Sequence, residues 1–240
     1  MVRIIFKPQF TFDFQSDFLQ SKKGENFYKL VRDGQNPETL FIACSDSRID
    51  PAILTQSDPG EFFSIRNVAA FVPPYKNEGF LNGTSSAIEY AVRFLKVKHI
   101  VVMGHADCGG IQALATDNFE LEGEDDFEFL QEWLKLGKAA QSAIWDNINS
   151  QNNERKIRTL EQASILISLL NLLTYPWIKS KYDNNDLQIH GWYFEMAKGQ
   201  LLEYCFEQNQ FEEIKENRPH ENLFIQPSLS NFLKINSCAC

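Results

Sequence analysis

Two short segments of this sequence contain side chains that could bind a metal ion. The segment IACSDSR contains Cys44, Asp46 and Arg48, and the segment MGHADCG contains His105 and Cys108. Thiolate sulfur and imidazole nitrogen are common zinc ligands, at about 2.3 and 2.0 Å from the metal in a tetrahedral arrangement. Cys44, His105 and Cys108 would supply three ligands, and a site with one open position is typical of catalytic rather than structural zinc.

Each part of this pattern has an ordinary structural explanation when it stands alone. A cysteine at the end of a strand is usually a small core residue. Asp46 and Arg48, two positions apart, would ordinarily form a surface ion pair that contributes under about 1 kcal/mol. The occurrence of all five residues at two neighbouring strand ends favours one shared site.

The composition limits the possible functions. With 240 residues, of which 43% are hydrophobic, the chain can bury a full core and form one large domain. Its 32 acidic side chains outnumber 23 basic ones, and the resulting net charge of −9 would repel the phosphate backbone of a nucleic acid. We therefore expect no nucleic-acid partner.

No segment of the sequence indicates export or a membrane span. The first residues, MVRIIFKPQF, contain too short an apolar run for a signal peptide. The longest apolar stretch, residues 163–173, is shorter than the roughly 20 residues that cross a bilayer. We expect a soluble, cytoplasmic protein with no membrane partner. In that reducing compartment, the five cysteines indicate metal binding or catalysis rather than a disulfide framework.

Hydrophobic patterning predicts an α/β fold. Three short apolar segments alternate with a segment of helical spacing over residues 85–96. The predicted strands are TLFIAC (39–44), EFFSIR (61–66) and KHIVVMG (98–104). Because parallel strands need crossover connections, which are usually helical, this order predicts a central, mostly parallel sheet flanked by helices on both faces.

Further elements are predicted towards the C-terminus. Two long helices are expected over residues 126–149 and 155–174, and Tyr175 with Pro176 ends the second. The segments LQIHGWYF and QLLEYCF, joined by a short turn, predict a C-terminal antiparallel hairpin.

The predicted organisation has three parts. They are an N-terminal helical arm (1–34), a zinc-containing catalytic α/β domain (35–208) and a C-terminal extension (209–240). The acidic segment 117–128 is expected to be a solvated loop. Cys238 and Cys240 are expected to belong to a flexible tail without function.

The metal-binding segments follow the ends of predicted strands. Cys44 ends one strand, His105 follows another, and Cys108 lies one turn further, where Gly109 and Gly110 begin a helix. Ligands of open α/β sheets bind in the crevice outside the carboxyl ends of the strands. We therefore expect the three side chains to point into one crevice.

Five segments of the sequence resemble the β-class carbonic anhydrases. They are CSDSR, DPGEFFSIRN, SSAIEYAV, KHIVVMGHADCGG and HGWYF. The resemblance implies a zinc enzyme that interconverts CO2 and bicarbonate, built as a homodimer or an assembly of dimers on a central, mostly parallel sheet. It also implies that Cys44, His105 and Cys108 bind one Zn2+ per subunit, and that Asp46 and Arg48 form the accompanying catalytic pair.

The chemistry of the site explains why such a pair would be needed. Two thiolates cancel the charge of Zn2+, so the metal should acidify its water less than a site of three neutral imidazoles would. Asp46 would accept a hydrogen bond from zinc-bound hydroxide and direct its attack on CO2. Arg48 would hold the carboxylate at two points and keep it ionised.

The resemblance also implies a largely apolar pocket for CO2. Phe63, Val68 and Tyr90 would form its wall, and Gln35 and Gly109 would contact substrate. In the family some of these residues come from the neighbouring subunit, so we expect activity and dimerisation to go together. Ordinary core or turn packing is the alternative explanation for such residues.

One position departs from part of the family. Some members carry a tryptophan three residues before the first cysteine, in an inhibitory bicarbonate site in which the paired aspartate moves onto zinc. This chain has Phe41 there. We therefore expect water rather than Asp46 at the open position of zinc, with activity at neutral pH and no steep inhibition by bicarbonate.

Two other functions are open at this stage. Relatives with a similar scaffold and ligand set hydrolyse carbonyl sulfide or carbon disulfide, and pocket shape would decide between these substrates and CO2. A zinc-stabilised binding or scaffolding protein is the third possibility. Asp46 and Arg48 count against it, because a purely structural zinc site needs a fourth ligand more than an oriented base.

Overall fold

A six-stranded sheet forms the centre of the protein. In the computed structural model, the described residues are 20–76, 81–116, 127–148, 153–214, 228 and 231–232. The strands are β1 (Thr39–Cys44), β2 (Phe62–Asn67), β3 (His99–His105), β4 (Gln188–Glu195), β5 (Gln200–Cys205) and β6 (Gln210–Glu213). Their order across the sheet is β2-β1-β3-β4-β5-β6.

Strand directions confirm the predicted α/β sheet. The four strands β2, β1, β3 and β4 run parallel, and β5 and β6 are added antiparallel at one edge. The predicted hairpin is therefore present as β4 and β5. The sequence analysis did not predict β6, whose four residues, QFEE, are too few for a period-2 pattern to be recognised.

The α-helices surround this sheet. They are α1 (Lys22–Asp33), α2 (Pro51–Thr55), α3 (Gly83–Glu89), α4 (Gly109–Thr116), α5 (Glu128–Leu134), α6 (Lys138–Asn147), α7 (Asn153–Leu172) and α8 (Pro176–Asp183). The helix predicted over residues 85–96 is confirmed, because α3 continues as a π-helical segment, Tyr90–Leu95. Within the described part of the chain, no helix combines the length and apolar character needed to cross a bilayer.

Helix α7 packs against β3 and β4 and forms part of the larger hydrophobic core. Glycines on both strands permit its close approach. A Cβ atom added at Gly104 would lie 2.8 Å from Ile165, and one added at Gly191 would lie 3.0 Å from Leu169. Alternate residues of β1 and β3 form a smaller apolar cluster on the other face of the sheet.

The predicted continuous helix over residues 126–149 is wrong. The described part of this region contains α5, a 3-10 turn at Lys135–Gly137, and α6. Gly137 ends the turn and is buried, and a Cβ atom there would lie only 2.7 Å from Phe71. Glycine in a helix interior lowers helix stability by about 1 kcal/mol relative to alanine. Gly137 therefore permits the close contact with Phe71 and also favours an interruption of the helix at that position.

The prediction for Pro176 is only half right. The preceding helix, α7, does end just before it, at Leu172. Pro176 then occupies the first turn of α8, which the sequence analysis missed. Proline suits the start of a helix because its fixed φ angle is helical and its missing N–H would be unpaired there.

Several predicted features lie partly or wholly outside the described residues. Helix α1 confirms a helical segment within the proposed arm, but residues 1–19 are not described. The acidic segment is described only at residues 127–128, and Cys238 and Cys240 are also outside the description. The three-part division of the chain stays a prediction.

Candidate metal centre

Parallel strands β1 and β3 bring Cys44 and His105 to the same edge of the sheet. Ala43 pairs with Met103 in the parallel register, so the two strands end at nearly the same level. Cys108 follows β3 through a short turn and directly precedes α4. The ligand atoms of Cys44, His105 and Cys108 all lie within 4.8 Å of one another, and all three residues are buried.

His105 presents one ring nitrogen to this cluster. Its Nδ1 lies 2.9 Å from the carbonyl oxygen of Ala106, and this contact favours the tautomer in which Nδ1–H donates to that oxygen. The other nitrogen, Nε2, is buried and has no hydrogen-bond partner among the described residues. A metal-binding histidine commonly has this arrangement, with one nitrogen anchored to a carbonyl and the other available to the metal.

The two sulfur atoms have the separation that a shared tetrahedral ion requires. Cys44 Sγ and Cys108 Sγ are 3.9 Å apart. Two sulfur ligands at tetrahedral positions, each 2.3 Å from zinc, would be separated by about 3.8 Å. With the available Nε2 of His105, the donor set is two sulfurs and one nitrogen, and it fits Zn2+.

Backbone N–H groups stabilise negative charge on both sulfurs. The sulfur of Cys44 accepts the backbone N–H groups of Asp46 and Ala69. The sulfur of Cys108 accepts those of Gly110 and Ile111, in the first turn of α4. The hydrogen bond from Cys108 lowers the pKa of Cys44 to about 4, against the effect of burial. The same hydrogen bond, together with burial, raises the pKa of Cys108. The hydrogen bond between the sulfurs therefore favours the thiolate form of Cys44, and a bound cation would favour the second thiolate as well.

The N–H group of Ala69 comes from a strained segment. Ala69 and Ala70 have φ angles of 63° and 53°, in the left-handed region that non-glycine residues rarely adopt. Ser168 of α7 stabilises this segment, because its Oγ donates to the carbonyl of Ala70 and accepts the N–H of Val72. Strain of this kind is found mainly where the surrounding structure enforces it, often at functional sites.

Asp46 and Arg48 form the predicted pair with three hydrogen bonds. Arg48 donates from its backbone N–H and from Nε to Asp46 Oδ1, each at 2.9 Å, and from Nη2 to Asp46 Oδ2 at 2.6 Å. These hydrogen bonds hold the pKa of Asp46 well below its ordinary value. Asp46 Oδ2 is also 4.0 Å from His105 Nε2, so the ionised carboxylate borders the metal cluster.

The sequence analysis missed Arg66, which supports the loop between Cys44 and Arg48. Its guanidinium donates to the carbonyl oxygen of Cys44 at 3.0 Å and to that of Asp46 at 2.7 Å. Arg66 lies on β2, one position before the residue that pairs with Cys44. The register of β2 beside β1 would have indicated this contact, but the sequence alone does not reveal that register.

Of the predicted substrate residues Phe63, Val68 and Tyr90, Val68 directly follows the end of β2 that pairs with Cys44, whereas Phe63 pairs with Leu40, near the other end of β1. Phe63 and Tyr90 have ring centroids 5.7 Å apart, and Tyr90 is 41% exposed. Val68 accepts a hydrogen bond from the indole of Trp133 at 2.8 Å through its carbonyl oxygen. Its side chain lies against Gly110, where an added Cβ atom would be only 2.7 Å away.

Of the other two predicted substrate residues, Gly109 lies beside the cluster and Gln35 is remote from it. Gly109 begins α4 directly after Cys108 and is exposed. Gln35 is exposed in the segment before β1, at the opposite end of that strand from Cys44. A six-residue strand spans about 17 Å between its end residues, so one chain does not bring Gln35 to its own Cys44.

Glu161 and Tyr193 are further residues that the sequence analysis missed. Glu161 on α7 accepts the backbone N–H of Cys108 at 3.2 Å and the hydroxyl of Tyr193 at 2.7 Å. Burial raises the pKa of Glu161 and that of Tyr193. One sequence signal could have indicated Glu161. It shares a face of α7 with Ile165 and Ser168, which follow it at helical spacing, and all three residues are buried.

The fold and site define a class of protein, namely an α/β protein with a buried Cys–His–Cys centre beside an Asp–Arg pair. The family model described as carbonic anhydrase matches residues 39–201. A curated carbonic anhydrase from Synechococcus elongatus is 36% identical over 179 residues, which are 74% of this chain and 64% of that relative. The chain therefore belongs to the carbonic anhydrase family, and it spans less than two thirds of that relative.

Solved structures assign the chain to the β class within this family. The β-carbonic anhydrase CcaA is 32% identical, with a TM-score of 0.78 over 87% of this chain and 91% of that one. One of two tetrameric β-carbonic anhydrases of Sordaria macrospora is 28% identical, with a TM-score of 0.64 over 82% of this chain and 97% of that one. The chain thus belongs to the β class of the carbonic anhydrase family.

Proposed function

We propose that this protein catalyses the reversible hydration of CO2 to bicarbonate and a proton, with one Zn2+ per subunit held by Cys44, His105 and Cys108. The observation that carries the proposal is the buried Cys–His–Cys cluster, which has an unpartnered His105 Nε2 among the described residues and an ionised carboxylate beside it. Membership of the carbonic anhydrase family supports the choice of reaction.

When bound, Zn2+ would lower the pKa of a water molecule and supply a hydroxide nucleophile near neutral pH. Asp46 would orient this nucleophile. Its Oδ1 already accepts two hydrogen bonds from Arg48, whereas its Oδ2 accepts one. A carboxylate oxygen can accept two, so Oδ2 has a lone pair available, and it is the oxygen 4.0 Å from His105 Nε2.

Arg48 would keep Asp46 in the form and orientation that this role needs. The paired hydrogen bonds favour the ionised carboxylate, which can only accept, and they fix its plane. Arg48 also donates to the carbonyl oxygen of Asp107, in the turn between His105 and Cys108, at 2.9 Å. One guanidinium thus connects the base to the metal-binding turn.

The proposed substrate pocket and the assembly belong together. Val68, together with the Phe63–Tyr90 pair of a second copy, would supply the apolar wall for CO2, because Phe63 pairs with Leu40, far from its own Cys44, and Gly109 would lie at the mouth of the pocket. Gln35 would serve the pocket of a second copy, because it is remote from its own Cys44. A homodimer or an assembly of dimers is therefore part of the proposal, and the tetrameric relatives of Sordaria macrospora support it. A cytoplasmic location stays a prediction.

A stopped-flow CO2 hydration assay on protein with measured zinc content tests this function. We expect about one zinc per chain and hydration that is lost in Cys44→Ser. Release of hydrogen sulfide from carbonyl sulfide and carbon disulfide should be measured on the same samples. Wild-type protein without stoichiometric zinc, or zinc-loaded protein no faster than Cys44→Ser, would contradict the proposal. Faster turnover of the sulfur compounds than of CO2 would replace the substrate.

A further inference from the structure

A buried carboxylate lies directly behind the metal-binding turn. Glu161 is 3% exposed and projects from α7 towards the carboxyl edge of the sheet. One oxygen accepts the N–H of Cys108 at 3.2 Å, and the other accepts the hydroxyl of Tyr193 on β4 at 2.7 Å. A single side chain thus links the central helix, the sheet and the turn that contains two of the three candidate ligands.

Packing alone does not explain a carboxylate at this position. The neighbouring buried residues of α7 include Leu160, Ala163 and Ile165, which contribute apolar surface to the core. An isolated buried carboxylate costs several kcal/mol, and removing its hydrogen-bond partners makes that cost larger. An apolar side chain of similar volume would fill the space without this cost, so the hydrogen bond to the turn is the distinctive feature of Glu161.

The turn itself needs external support. Asp107, between the two ligands, has a φ angle of 56°, in the left-handed region that costs a non-glycine residue of the order of 1 kcal/mol or more. Glu161 accepts the N–H group of Cys108, the residue directly after Asp107, and this peptide plane determines where the Cys108 side chain begins. In this arrangement Cys108 Sγ lies 3.9 Å from Cys44 Sγ, a separation that suits two ligands of one ion.

We propose that Glu161 is a positioning residue of the metal centre: its hydrogen bond to the N–H of Cys108 presets the sulfur of that residue for metal binding. The inference rests on the proposed function, because it assumes that Cys44, His105 and Cys108 hold Zn2+. Glu161 does not touch substrate in this role. It acts through the backbone of Cys108, and its loss would reduce metal affinity more than it reduces folding.

Three variants separate this role from a purely structural one. Glu161→Leu removes the acceptor for the turn but keeps a side chain of similar size. Glu161→Gln keeps one oxygen acceptor and should rescue part of the effect. Thr159→Val is the matched control, because Thr159 is also buried on α7 and its hydroxyl donates within the same helix, to the carbonyl oxygen of Arg155 at 2.9 Å.

The experiment measures Zn2+ affinity of the metal-stripped full-length chain by competition with a chromophoric chelator. Second-layer partners of metal ligands typically contribute 10- to 100-fold in affinity. We expect a loss in that range for Glu161→Leu, a smaller loss for Glu161→Gln and none for Thr159→Val. Replacement of zinc by Co2+ adds a spectroscopic test, because the sulfur-to-cobalt absorption should change in the Glu161 variants and not in the control. Urea unfolding of the metal-free proteins reports the structural effect separately.

The outcomes are distinguishable. The positioning role would be overturned if the wild type binds zinc, both Glu161 variants bind it within twofold of the wild-type affinity, and their cobalt spectra are unchanged. The proposed function would then remain intact. If Glu161→Leu does not fold, the comparison of Glu161→Gln with Thr159→Val decides. A wild-type chain that binds no zinc would contradict the proposed function, and this inference with it.

Discussion

The sulfur atoms of Cys44 and Cys108 lie 3.9 Å apart, although the residues are 64 positions apart in the chain. Each sulfur has its own support, since Cys44 ends a buried strand and Cys108 precedes a helix whose first N–H groups donate to it. Two thiolates at this distance repel each other unless a cation lies between them. The geometry therefore suits a metal ion held between the two sulfurs.

Replacing one of these sulfurs should abolish tight metal binding without unfolding the protein. We expect Cys108→Ser to lower Zn2+ affinity by at least about 100-fold, more than the loss of an outer partner of a ligand. Cys205→Ser is the matched control, because Cys205 is also buried but lies outside the cluster. Zinc content after dialysis against a weak chelator measures the effect. Equal zinc retention in the two variants would contradict the assignment of Cys108.

Removing the charge of Asp46 should separate metal binding from catalysis. Asp46→Asn keeps the size of the side chain but replaces one acceptor oxygen with a donor. We expect zinc content to stay at the wild-type level and CO2 hydration at neutral pH to fall by about 100-fold, the lower end of typical effects of proton-handling residues. Asp33→Asn is the control, because Asp33 also bonds a neighbouring arginine, Arg32, on the exposed helix α1. Wild-type hydration rates in Asp46→Asn would exclude the proposed role.

The sequence was sufficient to predict the inner part of the site. Cys44, His105 and Cys108 are of types that bind zinc, and they follow apolar segments short enough to be parallel strands. The supporting residues were not predictable in the same way. Glu161 meets Cys108 only because α7 crosses β3 at Gly104, and Arg66 meets Cys44 only because β2 pairs with β1 in one register. Such contacts depend on packing between distant segments.

The same distinction applies to the fold. Strands β1 and β3 were predicted almost to the residue, because their apolar runs have clear limits. The break at Gly137 depends on close packing against Phe71, which no local pattern records. Helix α8 begins at Pro176, a residue that can equally end one helix or start the next. Local periodicity therefore predicts the elements better than it predicts their interruptions.

Activity should depend on an exposed aromatic surface next to the proposed pocket. Phe94 is 69% exposed and stacks on Tyr90, with ring centroids 4.8 Å apart. If a second copy covers this surface, Phe94→Glu would bury a charge at the interface, and we expect monomers with at least about tenfold lower hydration activity. Phe129→Glu is the control, because Phe129 is 88% exposed on α5. Sedimentation velocity and CO2 hydration are measured on the same samples, and a fully active monomer would refute the link.

Burial of Tyr204 should make the protein sensitive to alkaline pH. Its side chain is 2% exposed, and burial raises its pKa to about 12, from 10.0 for an unperturbed tyrosine. Between pH 10 and 12 the unfolded chain would lose this proton more readily than the folded chain. The folded state's advantage from Tyr204 is thus complete below pH 10 and declines as pH rises through that window. The urea midpoint of unfolding should fall less between pH 9 and pH 11 in Tyr204→Phe than in wild type. Tyr28→Phe is the control, because Tyr28 is 56% exposed, and its midpoint should fall as much as that of wild type. Identical declines in wild type and Tyr204→Phe would show that Tyr204 does not contribute to alkaline unfolding.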